Sequence, residues 1–425
     1  MTEGTTDATT DATTDATTDG TTDGTTDGTT DDTAPAKAEA VAPRPPLLKR
    51  LVRSRVARAV TAAGLVGVLL GAGTVAWSTD TLPLLSPDPC WDTFDDALAT
   101  RVFGDRKTVA ETQRLQMDPR GRAASYGQCR ITSYQEGKKE RAVRQLTVRV
   151  HRPAGYGERT NGVWPSEFLE ADMVPLGAGL PGMVSPTRAW LALPESCTGQ
   201  PDILSNSTVV DLAMGDAGDS GMAPEYDRKD RAALSEAVVA VTNGVLRELD
   251  CSGAYSAPAP DELAALVGWQ DAKPDALCGI EGLTVPAAYS HALRRERVGE
   301  GGGAARSCEA GGTYPPGDLR LMTVVDPGLA RTHVRDATFG GTRLSAAKGG
   351  PSGFGTIDVT RGVYVAQCQT GDVTFLVEKV KSVSSEKGKG KGPNLIRALL
   401  PKYVEAEAER IGCGPIRLKL PEVLE

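Results

Sequence analysis

Eight cysteines are the side chains whose type and spacing most plainly imply chemistry: Cys90, Cys129, Cys197 and Cys251, then Cys278, Cys308, Cys368 and Cys413. An even number of thiols, all on the C-terminal side of one hydrophobic span, reads as a disulfide framework made in an oxidising compartment. Spacings of 39, 68 and 54 residues in the first set and 30, 60 and 45 in the second mark two editions of one unit. Three connectivities are open within each set. Sequential pairing is favoured: Cys90 with Cys129, Cys197 with Cys251, Cys278 with Cys308, and Cys368 with Cys413. In both units the last helix ends on a cysteine and the third cysteine opens the strand pair which that helix should cover, so such a bond pins helix to sheet. Zinc is the competing use of thiols, but no CxxC pair occurs, and no metal site is expected.

Other chemistry-bearing residues are sparse. Gly218-Asp219-Ser220-Gly221 spells the sequence around a protease nucleophile, yet such a serine needs a histidine base and an orienting carboxylate, and the only histidine upstream is His151, at a strand end. His151, His291 and His333 are the only histidines, and none has a histidine or cysteine at ligand spacing. Gly299 to Gly303 lacks the Lys-Ser/Thr of a phosphate loop and reads as a flexible loop. The run from Lys387 to Gly392 reads as a solvated basic loop. Glu167, Glu170 and Asp172 are scattered carboxylates from which a hydrolase or transferase site would have to be assembled. No catalytic, cofactor-binding or metal residue is assigned; the assigned site residues are the eight cysteines.

The elements that must carry the cysteines can be read from periodicity. A short helix follows Cys90, strands centre on 126–134 and 143–150, and QLTVRVH alternates as a half-buried strand does. Gly-rich turns at 177–182 and 350–355 precede two matching lead-ins, Thr187-Arg188-Ala189-Trp190 before Cys197 and Thr360-Arg361-Gly362-Val363-Tyr364 before Cys368. A turn and a β-branched run follow each third cysteine, 207–214 and 372–380, so a hairpin is expected twice. A helix is expected over 230–250, with Leu234, Val238, Val241, Val245 and Leu249 on one face. Its counterpart spans about 394–411, where Pro401 should kink or restart it. The fold class expected is α+β: two tandem disulfide-bonded sandwich domains of antiparallel sheet plus helix, residues 89–252 and 276–421, joined by a linker at 253–275 and set after a single transmembrane helix.

Residues 59–77 form that span, AVTAAGLVGVLLGAGTVAW, with no charge between Arg58 and Asp80. Nineteen residues at ~1.5 Å each cover roughly the 30 Å of a bilayer core. Lys49, Arg50, Arg53, Arg55 and Arg58 crowd the segment 47–58, so the N-terminus should stay cytoplasmic and the C-terminal domains should be extracellular, after a short connector at 78–88. Thr74-Val75-Ala76 also offers the small residues a signal peptidase accepts, which keeps a cleaved leader as the alternative. Ala63, Gly67 and Gly71 repeat every four residues and present a small face through which a weak homodimer would pack. Residues 1–46 repeat TTD seven times and carry ten acidic side chains against Lys37 and Arg44. With nothing large and apolar to bury, this tail is expected to be disordered. It also holds the whole net charge of −8, since 47–425 carries 45 side chains of each sign, so no basic field for nucleic acid exists.

Pro89-Cys90-Trp91 opening a helix, Leu193-Pro194-Glu195-Ser196-Cys197 ending a strand, and a final helix closing on a cysteine together resemble secreted or membrane-anchored proteins of actinobacteria. The Ala/Gly/Arg/Val-rich usage is similar to that of Streptomyces proteins. More distantly, 89–420 resembles actinobacterial lipoprotein domains of PsbP-like fold, which implies a curved antiparallel sheet flanked by helices and transfers no catalytic residue. No lipobox cysteine follows the span, so lipid attachment is not implied.

The function expected is a non-catalytic binding module at the cell envelope, membrane-anchored by one pass, with an envelope protein or wall component as partner and no cofactor. An exported hydrolase or transferase with a carboxylate site is the alternative. For the topology, a Thr17→Cys variant in intact cells is expected to resist an impermeant thiol reagent that labels the native cysteines after mild reduction; labelling at position 17 contradicts it.

Overall fold

The computed structural model describes residues 88–422 apart from 116–126, 136–140, 154–167, 199–206, 217–227, 300, 313–316, 381–382 and 384–392. The tail, the basic segment, the span 59–77 with Ala63, Gly67 and Gly71, the motif 218–221, Glu167 and the 387–392 run lie outside the described residues. Among the described residues no helix is long and apolar enough to cross a membrane. Residues 84–425 form one compact unit.

Its first half comprises helix α1 (Asp96–Phe103), β1 (Lys107–Thr112), β2 (Gly127–Gln135), β3 (Arg141–His151), β4 (Val174–Pro175), β5 (Gly182–Val184), β6 (Arg188–Ala192), β7 (Val209–Asp216) and helix α2 (Arg228–Glu248). The second comprises β8 (Gln270–Asp271), β9 (Arg295–Val298), β10 (Ala305–Gly311), β11 (Leu319–Val324), β12 (Thr342–Ala346), β13 (Gly353–Ile357), β14 (Arg361–Cys368), β15 (Gly371–Lys379), helix α3 (Leu395–Arg410) and β16 (Leu418–Lys419). Both sheets are antiparallel. The first runs β1-β2-β3-β7-β6-β5-β4, and the second repeats that order as β9-β10-β11-β15-β14-β13-β12, with β8 and β16 added at its edges.

Register shows how closely the halves correspond. Cys129 pairs with Val148 and Cys308 with Leu321, which places both second cysteines on corresponding strands, β2 and β10. Arg188 lies opposite Ala213 and Arg361 opposite Glu378, so the two Thr-Arg lead-ins occupy matching positions of matching strands. Each first cysteine adopts left-handed backbone, Cys90 at φ 56 and Cys278 at φ 60. That conformation is costly for a side chain with a Cβ. In each case the surroundings hold it: the Cys90 N–H donates to Thr112 Oγ1 at 3.0 Å and the Cys278 N–H to Glu296 Oε2 at 2.7 Å. All four sequential disulfides form, with Cα–Cα distances of 5.0–5.8 Å.

Alternation on the strands builds three cores. Leu146, Val148 and Val150 of β3 turn towards α2, where Leu234, Val238, Val241 and Val245 meet them as the helical period requires. Leu321, Tyr364, Phe375 and Val377 turn likewise towards Leu395, Ile396, Leu399, Tyr403 and Val404 of α3. The opposite faces of the two sheets meet each other: Phe168, Met183 and Trp190 pack with Met322, Val363 and Leu376 in a core common to both halves. Trp190 is fully buried there, and its indole N–H donates to the Phe168 carbonyl at 2.9 Å.

Four local differences from the sequence reading have physical causes. Pro401 does not interrupt α3. The carbonyl it leaves without a partner belongs to Arg397, on the partly exposed side of a helix whose other face is fully packed, so water can satisfy it. Cys197 sits in a helical turn, Glu195–Thr198, and not at the head of a hairpin; of the two hairpins expected around the third cysteines, β14–β15 is the tight one, with Cys368 opposite Gly371. The stretch 253–275 is docked and not a free connector: Tyr255 exchanges two hydrogen bonds with Asn243 of α2, Arg231 donates to the Ala264 carbonyl at 2.6 Å, and Leu263 is buried. Leu249, expected on the helix face, lies just past its end, where Cys251 closes the chain back onto Leu246.

Because Trp190 fills the shared core, Trp190→Ala is expected to cost about 3–5 kcal/mol of unfolding free energy, as buried aromatic truncations do, measured by urea denaturation without reductant. A loss under about 1 kcal/mol would show that the inter-sheet packing is not structural in this sense.

Candidate functional site

Two recesses adjoin where the sheets meet. The larger, about 360 Å³, is lined by Gly302, Gly303, Ala305, Arg306, Val325, Thr370, Val373, Arg410 and Ile411. The smaller, about 190 Å³, shares Gly302, Gly303 and Val325 with it and continues along 175–181 of the first half to Asp326. The walls therefore come from both halves, and the Gly-rich turn at 177–182 forms one side.

The walls that carry Arg306, Arg410 and Thr370 are fixed by disulfides. Arg306 lies on β10 two residues before Cys308, and its Nη2 reaches back to the Cys278 carbonyl at 3.4 Å, so the Cys278–Cys308 bond holds its strand. Arg410 and Ile411 end α3 just before Cys413, and Thr370 lies in the β14–β15 turn just after Cys368; the Cys368–Cys413 bond thus ties the opposite walls together. Close approach demands glycine at 303, and left-handed backbone, φ 108, favours it at 302. A Cβ at Gly301 would stand 3.0 Å from Arg410 Nη1, and one at Gly303 would stand 2.6 Å from Pro175 Cβ. Gly302 and Gly303 thereby line both recesses.

Beneath the cavity lies Glu407, whose side chain is 1 % exposed. It accepts from Arg306 Nη1 at 2.5 Å, from Arg410 Nε and Nη2 at 2.8–3.1 Å, and from the Thr323 hydroxyl at 3.0 Å. Thr323 also bonds the Tyr403 hydroxyl at 2.8 Å. Burial, reinforced by the Glu407 charge, pushes the Tyr403 phenol far above its usual range, so it stays a neutral hydrogen-bonding group. Two guanidiniums over one carboxylate leave an excess of one positive charge facing a wall of Val325, Val373 and Ile411.

A second polar cluster lies between the sheets, away from this cavity. Arg320 donates to Glu309 at 2.7–2.9 Å, Glu378 lies 3.6 Å from Arg320, and Arg297 lies 3.5 Å from Glu309. Glu170 and Asp172 approach this group, and the Ser307 hydroxyl donates to the Glu170 carbonyl at 3.0 Å. Burial raises the pKa of Glu170, with Asp172 adding to it; burial likewise raises that of Asp172, with Arg297 opposing. Neither carboxylate lines either recess.

The histidines occupy separate elements. His151 ends β3, where its Nε2 meets Asp211, which also accepts from Arg149 at 3.2–3.3 Å. His291 is exposed before β9, and His333 is buried with its Nδ1 at 3.8 Å from Asp336. Among the described residues, Cys278, Glu296 and Cys308 alone bring three metal-ligating atoms together. They do not fit a metal, because the two sulfurs are bonded to each other and the Glu296 carboxylate is taken by the Cys278 N–H. Arg306, Arg410, Glu407 and Thr370 were not singled out from the sequence; the usable signal was the position of Arg306, Arg410 and Thr370 two to three residues from cysteines that the framework must fix.

Comparison with known proteins adds little. No family model matches the chain, and no curated protein does. A solved structure, the di-domain ARO/CYC StfQ from the steffimycin biosynthetic pathway, is 13 % identical over 77 % of this chain and 96 % of its own, with a TM-score of 0.12, which carries no argument.

The inter-sheet cluster makes a pH dependence. Burial pushes Glu378 up to about 8, with Arg320 and its cross-strand neighbour Arg361 facing it and Glu309 already occupying Arg320. A carboxyl raised in the folded state retains a proton that the unfolded chain releases, so its stabilisation is complete in acid and is lost as pH rises towards 8. The urea midpoint, without reductant, is expected to fall between about pH 5 and pH 8, and Glu378→Gln to flatten that slope. An unchanged slope in the variant contradicts this.

Proposed function

We propose that the chain is a single-pass membrane-anchored protein whose two disulfide-stabilised halves act together, outside the cytoplasm, as a non-catalytic binding module at the cell envelope, with the cleft beside Arg306 and Arg410 as its binding site. The single observation that carries this reading is the lining of the larger cavity: two guanidiniums held over a buried carboxylate, a turn hydroxyl and an aliphatic wall, all groups that hold and orient a ligand. Four disulfides support an oxidising location. The adjoining smaller recess supports one composite cleft over two independent ones, since 175–181 of the first half and 302–304 of the second line it together.

The alternative, an exported hydrolase or transferase, has one observation in its favour: Glu170 and Asp172 are neighbouring half-buried carboxyls with raised proton affinity. Their arginine neighbours give them an equally good structural role, and they open onto neither recess.

Detergent-solubilised full-length protein is expected to co-sediment with envelope from which detergent has stripped the bilayer, so that the span 59–77 cannot carry it down, and to release no product from it. Thr370→Trp, which fills the cavity from an exposed turn, is expected to weaken that binding by about tenfold or more while leaving the circular dichroism unchanged. Wild-type co-sedimentation by this variant would remove the cleft as the site. Turnover lost in Glu170→Gln would establish the enzyme instead.

A further inference from the structure

The cavity is built for one particular charge and shape. Arg306 and Arg410 both donate to Glu407, and Arg306 Nη2 also reaches the Cys278 carbonyl at 3.4 Å, so the more open guanidinium is that of Arg410. Arg306 uses Nη1 towards the carboxylate, and Arg410 uses Nε and Nη2. Among the described residues Arg410 Nη1 has no hydrogen-bond partner, although the Gly301 backbone passes close to it. Arg410 is 39 % exposed at its side chain and Arg306 15 %, while Glu407 lies beneath them at 1 %. The Arg410 guanidinium so held is oriented before any ligand arrives, and its outer Nη1–Nη2 edge is a fork that matches two carboxylate oxygens. The Thr370 hydroxyl stands on the opposite wall. Val325, Val373 and Ile411 supply the rest.

We infer that this cavity takes a small monocarboxylate with an aliphatic body, its carboxylate set against Arg410 and Arg306 and its chain along Val325, Val373 and Ile411. This deepens the binding-module reading and rests on the same cleft. Charge decides between anions: two guanidiniums against Glu407 leave one positive charge, which a single carboxylate neutralises, whereas a phosphate dianion would bring a second negative charge towards Glu407. Shape decides the rest. A bare oxyanion gains nothing from the aliphatic wall, and a volume of about 360 Å³ is at the small end of ligand sites, suited to a short acid. The Cys368–Cys413 bond sets the separation of the walls, since it joins the turn that carries Thr370 to the helix end that carries Arg410.

The test is calorimetric titration of the full-length protein with hexanoate, 1-hexanol and inorganic phosphate. Saturable one-to-one binding of hexanoate, with neither hexanol nor phosphate binding comparably, is the expected result. Arg410→Met is expected to weaken hexanoate by about tenfold or more. Should that variant misfold through exposure of Glu407, Arg410→Lys keeps the charge and loses the Nη1 donor, and it is expected to weaken hexanoate by about tenfold as well. Phosphate binding in place of hexanoate, hexanol binding as well as hexanoate, or wild-type affinity in Arg410→Lys each overturns the inference. The two readings separate in one comparison. If hexanoate fails to bind while Thr370→Trp still abolishes envelope co-sedimentation, the monocarboxylate is wrong and the cleft stands. If hexanoate binds but Thr370→Trp co-sediments normally, the monocarboxylate stands and the envelope role of the cleft falls.

Discussion

The structure depends on the burial of two sheet faces against each other. An antiparallel sheet with a helix on one side still presents its other side to water, and in each half that other side carries large apolar groups, Trp190 and Met183 in one, Met322, Val363 and Leu376 in the other. Neither sheet can remain as built unless something covers this surface, because apolar area returned to water costs roughly 25 cal/mol per Å². Each half is the other's cover. The cleft then follows as a consequence: two twisted sheets that meet face to face diverge at their margins, and at one margin the 175–181 turn and the 301–303 loop face each other across a gap.

The disulfides have a different task from the core. The cores fix which faces meet, while the bonds fix the ends of strands and helices that packing alone leaves free to fray. The Cys278–Cys308 bond fixes the edge strands around Arg306, and Cys368–Cys413 fixes the end of α3 around Arg410. Two like charges held side by side repel each other, and here the arrangement is tolerated because Glu407 lies between them in a buried position, itself steadied by Thr323. Between the sheets burial sets the balance. Glu170, Asp172, Glu309 and Glu378 face Arg188, Arg297, Arg320 and Arg361, and where burial outweighs these partners the carboxyl holds a proton, at Glu378 most of all.

Much of this was legible in residue order. Eight cysteines left three pairings open in each set and favoured one, the bond from a third cysteine to the end of a closing helix that staples helix to sheet, and that bond is present in both halves. The alternation in QLTVRVH and the one-face stripe of 230–250 gave β3 and α2, since period two and period 3.6 leave unmistakable traces when one side is buried. The Thr-Arg lead-ins gave the correspondence of β6 with β14. Where local rules failed, a tertiary term outweighed them: Pro401 stays helical because one side of α3 is fully packed, and 253–275 is pinned by side chains of α2 that no local pattern reveals.

By itself, then, the sequence determined the elements, their duplication and their covalent staples, all of which are written in spacing and period. Only the tertiary structure decided what faces what. The outward side chains of β6 and β14 look in sequence like any half-buried strand, and nothing local says that they bury each other. Arg306 and Glu407 are 101 positions apart and share no motif, so their convergence with Arg410 exists only once β10 and α3 are packed. Charge and hydrogen bonding act over a few ångströms of space, whereas pattern in sequence reports only neighbours along the chain, and the cleft is made wholly of contacts of the first kind.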